Sequence, residues 1–185
     1  MQTVVVKFGG PAIATPEKIR NVAKRVLNEQ ARGIHLVVVV SSMASIRTEL
    51  RQFAHDITDE PSKREMDVLV ATSAQMTSAL LSMAIQELGG KAVSLAGWQA
   101  GIQTNATHRN ARVENVDTAR INKHLARGEI VVVAGFQGVT EAHDISTLGK
   151  GGSETSAVAL AVALEAERVD IYTNVDGVYT ADPQV

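Results

Sequence analysis

The sequence predicts an α/β fold built on a mainly parallel sheet, and three observations carry that expectation. Apolar, largely β-branched runs at residues 3–6, 36–40 and 130–134 have no polar alternation, the pattern of strands covered on both faces. Segments with apolar residues at helical spacing separate these runs, as in strand-helix-strand units with right-handed crossovers. Gly9-Gly10, Ser41-Ser42 and residues 135–138 each follow such a strand, which gathers small-residue loops at the carboxyl edge of the sheet, where open α/β folds bind ligands.

Each element has a local reason. Thr15 can cap a helix with Pro16 at its first position, and Ile19, Val22, Ala23, Val26 and Leu27 recur at helical spacing until Gly33 stops it. Leu50, Phe53, Ala54 and Ile57 mark a helix over residues 46–57, and the Ser62 to Glu65 capping box opens another that carries Met66, Leu69 and Val70. Met76, Leu80, Leu81, Met83, Ala84 and Leu88 mark a further helix ended by Gly89-Gly90, followed by a short strand at 92–95. Residues 101–113 predict a loop or irregular β structure. A helix over 116–126, closed by Arg127-Gly128, leads to the 130–134 strand, and a helix over 153–165, a strand over 169–172 and a turn at 175–178 complete the alternation.

Composition narrows the function classes. The 185 residues are 45% hydrophobic, enough for one sizeable core, and predict a single domain over 1–185. A net charge of −2 gives no electrostatic footprint for nucleic acid or an acidic membrane surface. With no cysteine, thiolate metal sites and disulfides are excluded, and the five scattered histidines predict surface positions rather than a metal site. No signal-peptide core, and no apolar run near the roughly 18 residues of a membrane span, leads to the expectation of a cytoplasmic protein. No exposed apolar stripe marks an interface.

The chemistry is concentrated in two glycine-rich loops. Val6-Lys7-Phe8-Gly9-Gly10 ends a buried strand, and Gly149-Lys150-Gly151-Gly152-Ser153 opens a helix, so backbone N–H groups, a cation and a helix dipole can meet at a phosphate. These two segments, together with Gly135-Phe136-Gln137-Gly138 and residues 172–183, resemble the amino-terminal part of the aspartokinases, within the amino acid kinase family. The resemblance implies a three-layer α/β/α sandwich and transfer of the ATP γ-phosphoryl group to the side-chain carboxylate of L-aspartate, the step that commits carbon to lysine, threonine and methionine. It implies Lys7 and Glu154 as catalytic residues. Lys7, Gly9, Gly10, Lys150, Gly151, Gly152, Ser153, Thr173, Asn174, Tyr179 and Asp182 would bind ATP, with Mg²⁺ arriving on the nucleotide, and Ser41 and Ala74 would mark the substrate side. Partners are then two small molecules, with a homo-oligomer compatible with the family pattern.

Several polar positions depart from that pattern. Pro11-Ala12 replaces Thr-Ser after the first glycine pair, which removes two hydroxyls and one N–H. Ser73-Ala74 stands where the family has Gly-Glu, whose carboxylate binds the substrate amino group. Lys150 and Glu154 replace Arg and Asp, and Asn174 and Gln184 replace charged groups. Each lost charge-assisted hydrogen bond is worth about 1.5 to 3 kcal/mol, so the expectation is weak or absent turnover. The alternative is a non-catalytic or engineered module that keeps the scaffold and nucleotide affinity; a third reading is a kinase of another acid, such as glutamate or acetylglutamate. The family pattern also runs on past Val185 into further kinase sequence and regulatory ACT domains, so the chain is expected to be a kinase domain truncated at its carboxyl end and without an ACT domain.

Overall fold

Five parallel strands, numbered along the chain, form the central sheet: β1 (Thr3–Phe8), β2 (His35–Val40), β3 (Ala92–Leu95), β6 (Ile130–Ala134) and β9 (Arg168–Tyr172). Their order across the sheet is β3-β6-β2-β1-β9, with Val5 opposite Val37 and Val169, and Val38 opposite Val132. The computed structural model describes residues 1–173. The valine-rich runs form the inner strands because side chains on both faces must be apolar there, and all five residues of β6 are buried.

Helices cover both faces, giving the three layers. On one side α1 (Pro16–Gln30) and α3 (Lys63–Glu87) bring Ile19, Val22, Val26, Leu81 and Ile85 against Val4, Val6, Leu36, Val38 and Val132. On the other, α4 (Ala119–Leu125) and α5 (Gly152–Ala163) pack Ile121, Leu125, Ala157 and Leu160 against Val5, Val37, Val131 and Val133. Alternate residues of each strand feed alternate cores. α2 (Ala44–Ile57) buries no residue completely and leans on α3. A smaller mixed sheet, in the order β5 (Val113–Val116), β4 (Ile102–Thr104), β7 (Gln137–Val139), β8 (Ile145–Thr147), stands beside the first.

The structure corrects several local expectations. The two helical segments expected between residues 62 and 88 are one 25-residue helix, α3. Its buried hydroxyls satisfy themselves on the preceding turn, as Ser73 does on the Val70 carbonyl (2.6 Å), Thr77 on Ser73 (3.0 Å) and Ser82 on Ser78 (2.9 Å), so polar residues sit inside it without interrupting it. α3 does contain a stretch long and apolar enough to cross a membrane by length and composition, but Leu81 and Ile85 place it in the core. Met76, Leu80, Met83 and Leu88 also leave an exposed apolar stripe at its outer side. Residues 101–113 are partly ordered as β4, Val116 belongs to β5, and α4 starts only at Ala119. Gln137 opens β7 rather than a loop, its amide held by the Ala71 carbonyl and Gln75. The turn expected at 175–178 lies outside the described residues.

Candidate active site

β1 lies between β2 and β9 in the sheet, and Lys7 is its last residue but one. Its side chain is nearly fully buried, and its ammonium donates to Glu154 Oε1 at 2.5 Å. Glu154 comes from the first turn of α5, 147 residues away in sequence, so the strand end and the helix start meet directly. An unpaired ammonium at this depth would carry a large desolvation penalty, which the half-exposed carboxylate offsets.

Glycine builds the surroundings for two different reasons. Gly151 caps α5 at φ +78°, a left-handed conformation that bends the chain into the helix, while a Cβ on Gly152 would stand 2.7 Å from both Leu148 Cβ and the Phe136 ring. Gly9 instead clears space, since a Cβ there would lie 3.3 Å from Lys7 Nζ.

Not every glycine N–H expected to face phosphate is available. Gly9 N–H donates to the Tyr172 carbonyl (3.3 Å) and Gly152 N–H to the Gly149 carbonyl (3.0 Å). The Gly10, Ser153 and Glu154 N–H groups have no backbone acceptor among the described residues, as the start of a short helix leaves them.

A cleft of about 530 Å³ opens at this point, lined by Lys7, Gly9, Gly10, Pro11, Ser41, Ser42, Arg47, Glu154, Tyr172 and Thr173 among others. Tyr172 is fixed by stacking on Phe8 (4.8 Å between ring centroids) and by Arg25 over its ring at 4.0 Å. A second cleft of about 270 Å³ adjoins it through Arg47, and Lys150 lines this second one rather than the first, together with Arg51, Asp67, Arg109, Phe136 and Thr147.

Asp67 is a buried acid of the second cleft that sequence reasoning missed. It is fully buried, and its oxygens accept from His108 Nδ1 (2.8 Å), Arg109 N–H (3.0 Å), Thr147 N–H (3.0 Å) and the Thr147 hydroxyl. It thereby ties α3 to the 105–112 loop and to β8. His108 is half-buried against it, and His124 pairs with Glu129 at 2.6 Å, so these two histidines are not free surface groups. Only the lone aspartate in the otherwise apolar face Met66, Val70, Ala71 could have signalled this.

The structure thus brings Lys7, Gly9, Gly10, Ser41, Thr173 and Glu154 to one cleft and Lys150 to its neighbour. Ala74 is buried in α3 and lines neither cleft, one helical turn beyond Val70 on the face that carries Asp67. Asn174, Tyr179 and Asp182 lie outside the described residues.

The whole arrangement matches one known pattern: the sequence fits the amino acid kinase family over residues 2–185. The chain belongs to the amino acid kinase family. Among curated members it is 55% identical to the aspartokinase of Geobacillus stearothermophilus and 54% identical to aspartokinase 2 of Bacillus subtilis (strain 168), each over 184 residues, covering all of this chain and 45% of the relative. It spans a little under half the length of these relatives.

Solved structures agree on the kinase fold. The aspartate kinase from Synechocystis superposes with a TM-score of 0.81 at 43% identity, covering 98% of this chain and 30% of that one. The E. coli aspartokinase III complex with aspartate and ADP gives a TM-score of 0.85 at 25% identity, covering 99% and 52%. The three-layer amino acid kinase sandwich is therefore the fold of this chain.

Proposed function

We propose that this chain transfers the γ-phosphoryl group of ATP to a carboxylate of a small acid, with L-aspartate the acceptor suggested by its aspartokinase relatives and with weak turnover in this form. The observation that carries the proposal is the buried Lys7 ammonium in a cleft also lined by Gly9 and Gly10, 2.5 Å from Glu154 at the start of α5.

A carboxylate with a pKa near 4 is ionised at neutral pH and attacks phosphorus without a general base. One of its oxygens bonds to the γ-phosphorus as the bond to the β-phosphate oxygen breaks, and ADP leaves with that electron pair. The transition state is loose, so the protein contributes alignment and charge. Lys7 balances charge on the transferred group, and the Gly10, Ser153 and Glu154 N–H groups, without backbone acceptors among the described residues, would donate to phosphate oxygens. Lys7 must then exchange Glu154 for phosphate, which keeps the ammonium compensated in both states.

The donor set suits a metal carried by the nucleotide. Among the described residues there is no cluster of three potential ligands, and Glu154 is the carboxylate of the first cleft. Mg²⁺ held chiefly by phosphate oxygens needs no more than one or two protein carboxylates. The product would be aspartyl phosphate, formed in the cytoplasm toward lysine and threonine.

A second reading is a scaffold that binds nucleotide without turnover. It is favoured by one observation: with Ala74 buried, Asp67 enclosed and Glu154 paired, no unengaged carboxylate lines either cleft among the described residues to receive the ammonium of L-aspartate. A coupled ADP-release assay with L-aspartate, beside a titration with labelled ATP, separates the two. Slow turnover supports the kinase, ATP binding without turnover supports the scaffold, and absence of both overturns the nucleotide assignment.

A further inference from the structure

α3 is apolar on two faces, and the core uses only one. Leu81 and Ile85 pack with α1 against the sheet, whereas Met76 (36% exposed), Leu80 (37%) and Met83 (60%) meet solvent at i, i+4 and i+7, with Leu88 (45%) at the helix end. A helix that is hydrophobic on its outer side as well suits burial on both sides. Single exposed apolar residues are ordinary, but a row of them along one helix face is a contact surface.

The row borders a hollow rather than a flat face. Between α1 and the end of α3 lies a groove of about 350 Å³, lined by Ile19 and Ala84 and, on its α3 side, by Leu80 and Met83. Protruding side chains and a recess therefore stand side by side, and methionine, unbranched and polarizable, fills irregular recesses well.

Charges of both signs flank the groove. Arg20 and Lys24, one turn apart on α1, line one side, and Glu87, which continues the Met76-Leu80-Met83 row, lines the other. All three are exposed, and none has an ion-pair partner among the described residues. A two-fold axis supplies the pairing that one chain lacks: it sets the patch against itself in reverse, so that the acid of each copy meets the cations of the other and the contact occurs twice.

We propose that the α1–α3 groove is the surface through which two copies of this chain associate, with Met83 of each seated in the groove of the other and Glu87 opposed to the partner's Arg20 and Lys24. A partner of one charge, or an anionic lipid surface, would match only half of this pattern. The proposal is independent of phosphoryl transfer, because Arg20, Lys24, Met83 and Glu87 line neither the first cleft nor the second.

Sedimentation velocity of the 185-residue chain over about 1 to 200 µM is the test, a range in which modest interfaces dissociate. A monomer–dimer equilibrium is expected, weakened about tenfold or more by Met83→Glu, an exposed position at which circular dichroism should show the fold retained. The charges give a sharper reading. Glu87→Lys alone, and Arg20→Glu with Lys24→Glu alone, each set like charges across both contacts and are expected to weaken association by about tenfold or more. An equimolar mixture of these two variants makes both contacts attractive again and is expected to restore the dimer. A chain that is monomeric at every concentration, a dimer indifferent to all three variants, a mixture that stays monomeric, or a monomer that co-sediments with phosphatidylglycerol vesicles would each overturn the proposal.

Discussion

The two adjoining clefts treat charge in opposite ways. In the first, the cation is buried and closed by a carboxylate of the same chain, Lys7 on Glu154. In the second, four cations stand open and, among the described residues, the one wall carboxylate is committed inward. A buried charge has to be compensated within the protein before any ligand arrives, whereas exposed arginines are kept hydrated until an anion replaces water. The cation of the first cleft is therefore compensated within the protein, while those of the second face solvent.

The largest expected effect breaks the first cleft. Lys7→Met should lower ADP release by on the order of 10² to 10³-fold with the fold retained, since Glu154 is half-exposed and can return to water. Melting beside the coupled assay distinguishes this from unfolding. Asp67→Ala should act on stability instead, lowering it by about 3 kcal/mol in denaturant titration, because buried donors of Thr147 and Arg109 lose their acceptor together.

The triple change Ala74→Glu, Glu154→Asp and Asn174→Asp sharpens the contrast by restoring the carboxylates of the family pattern. It should raise ADP release with L-aspartate by about tenfold. The smallest effect is also the most local: Arg109→Gly should raise stability by about 1 kcal/mol by relieving a left-handed residue. A loss of stability there would show that the arginine side chain contributes more than its backbone strain takes away.

The parallel sheet was legible because valines at residues 4–6 and 37–40 leave no polar face, so only burial on both sides suits them. α1 was legible from Thr15 and Pro16, whose cap is present as expected, with Thr15 Oγ1 accepting from Lys18 N–H at 3.3 Å. α3 was split in expectation because its buried serines and threonines blur the helical period, although each bonds back within the helix. The small sheet was missed because three-residue strands such as Ile102–Thr104 carry too little pattern to read. Of the site, Lys7 and the glycine loops were legible through their spacing, while the available donors were not: Gly9 and Gly152 N–H prove occupied only once their acceptors are placed.

What the sequence determined by itself was the alternation of buried strands and helices and the loops that end them, since local periodicity and backbone chemistry specify these directly. The tertiary structure alone decided that Glu154 closes on Lys7, that Asp67 anchors a loop some 40 residues ahead of it, and that Arg47, Arg51 and Arg109 converge. The physical reason is range: capping and periodicity act over a few residues, but charges pair or repel according to distance in space, which the order of residues along the chain does not contain.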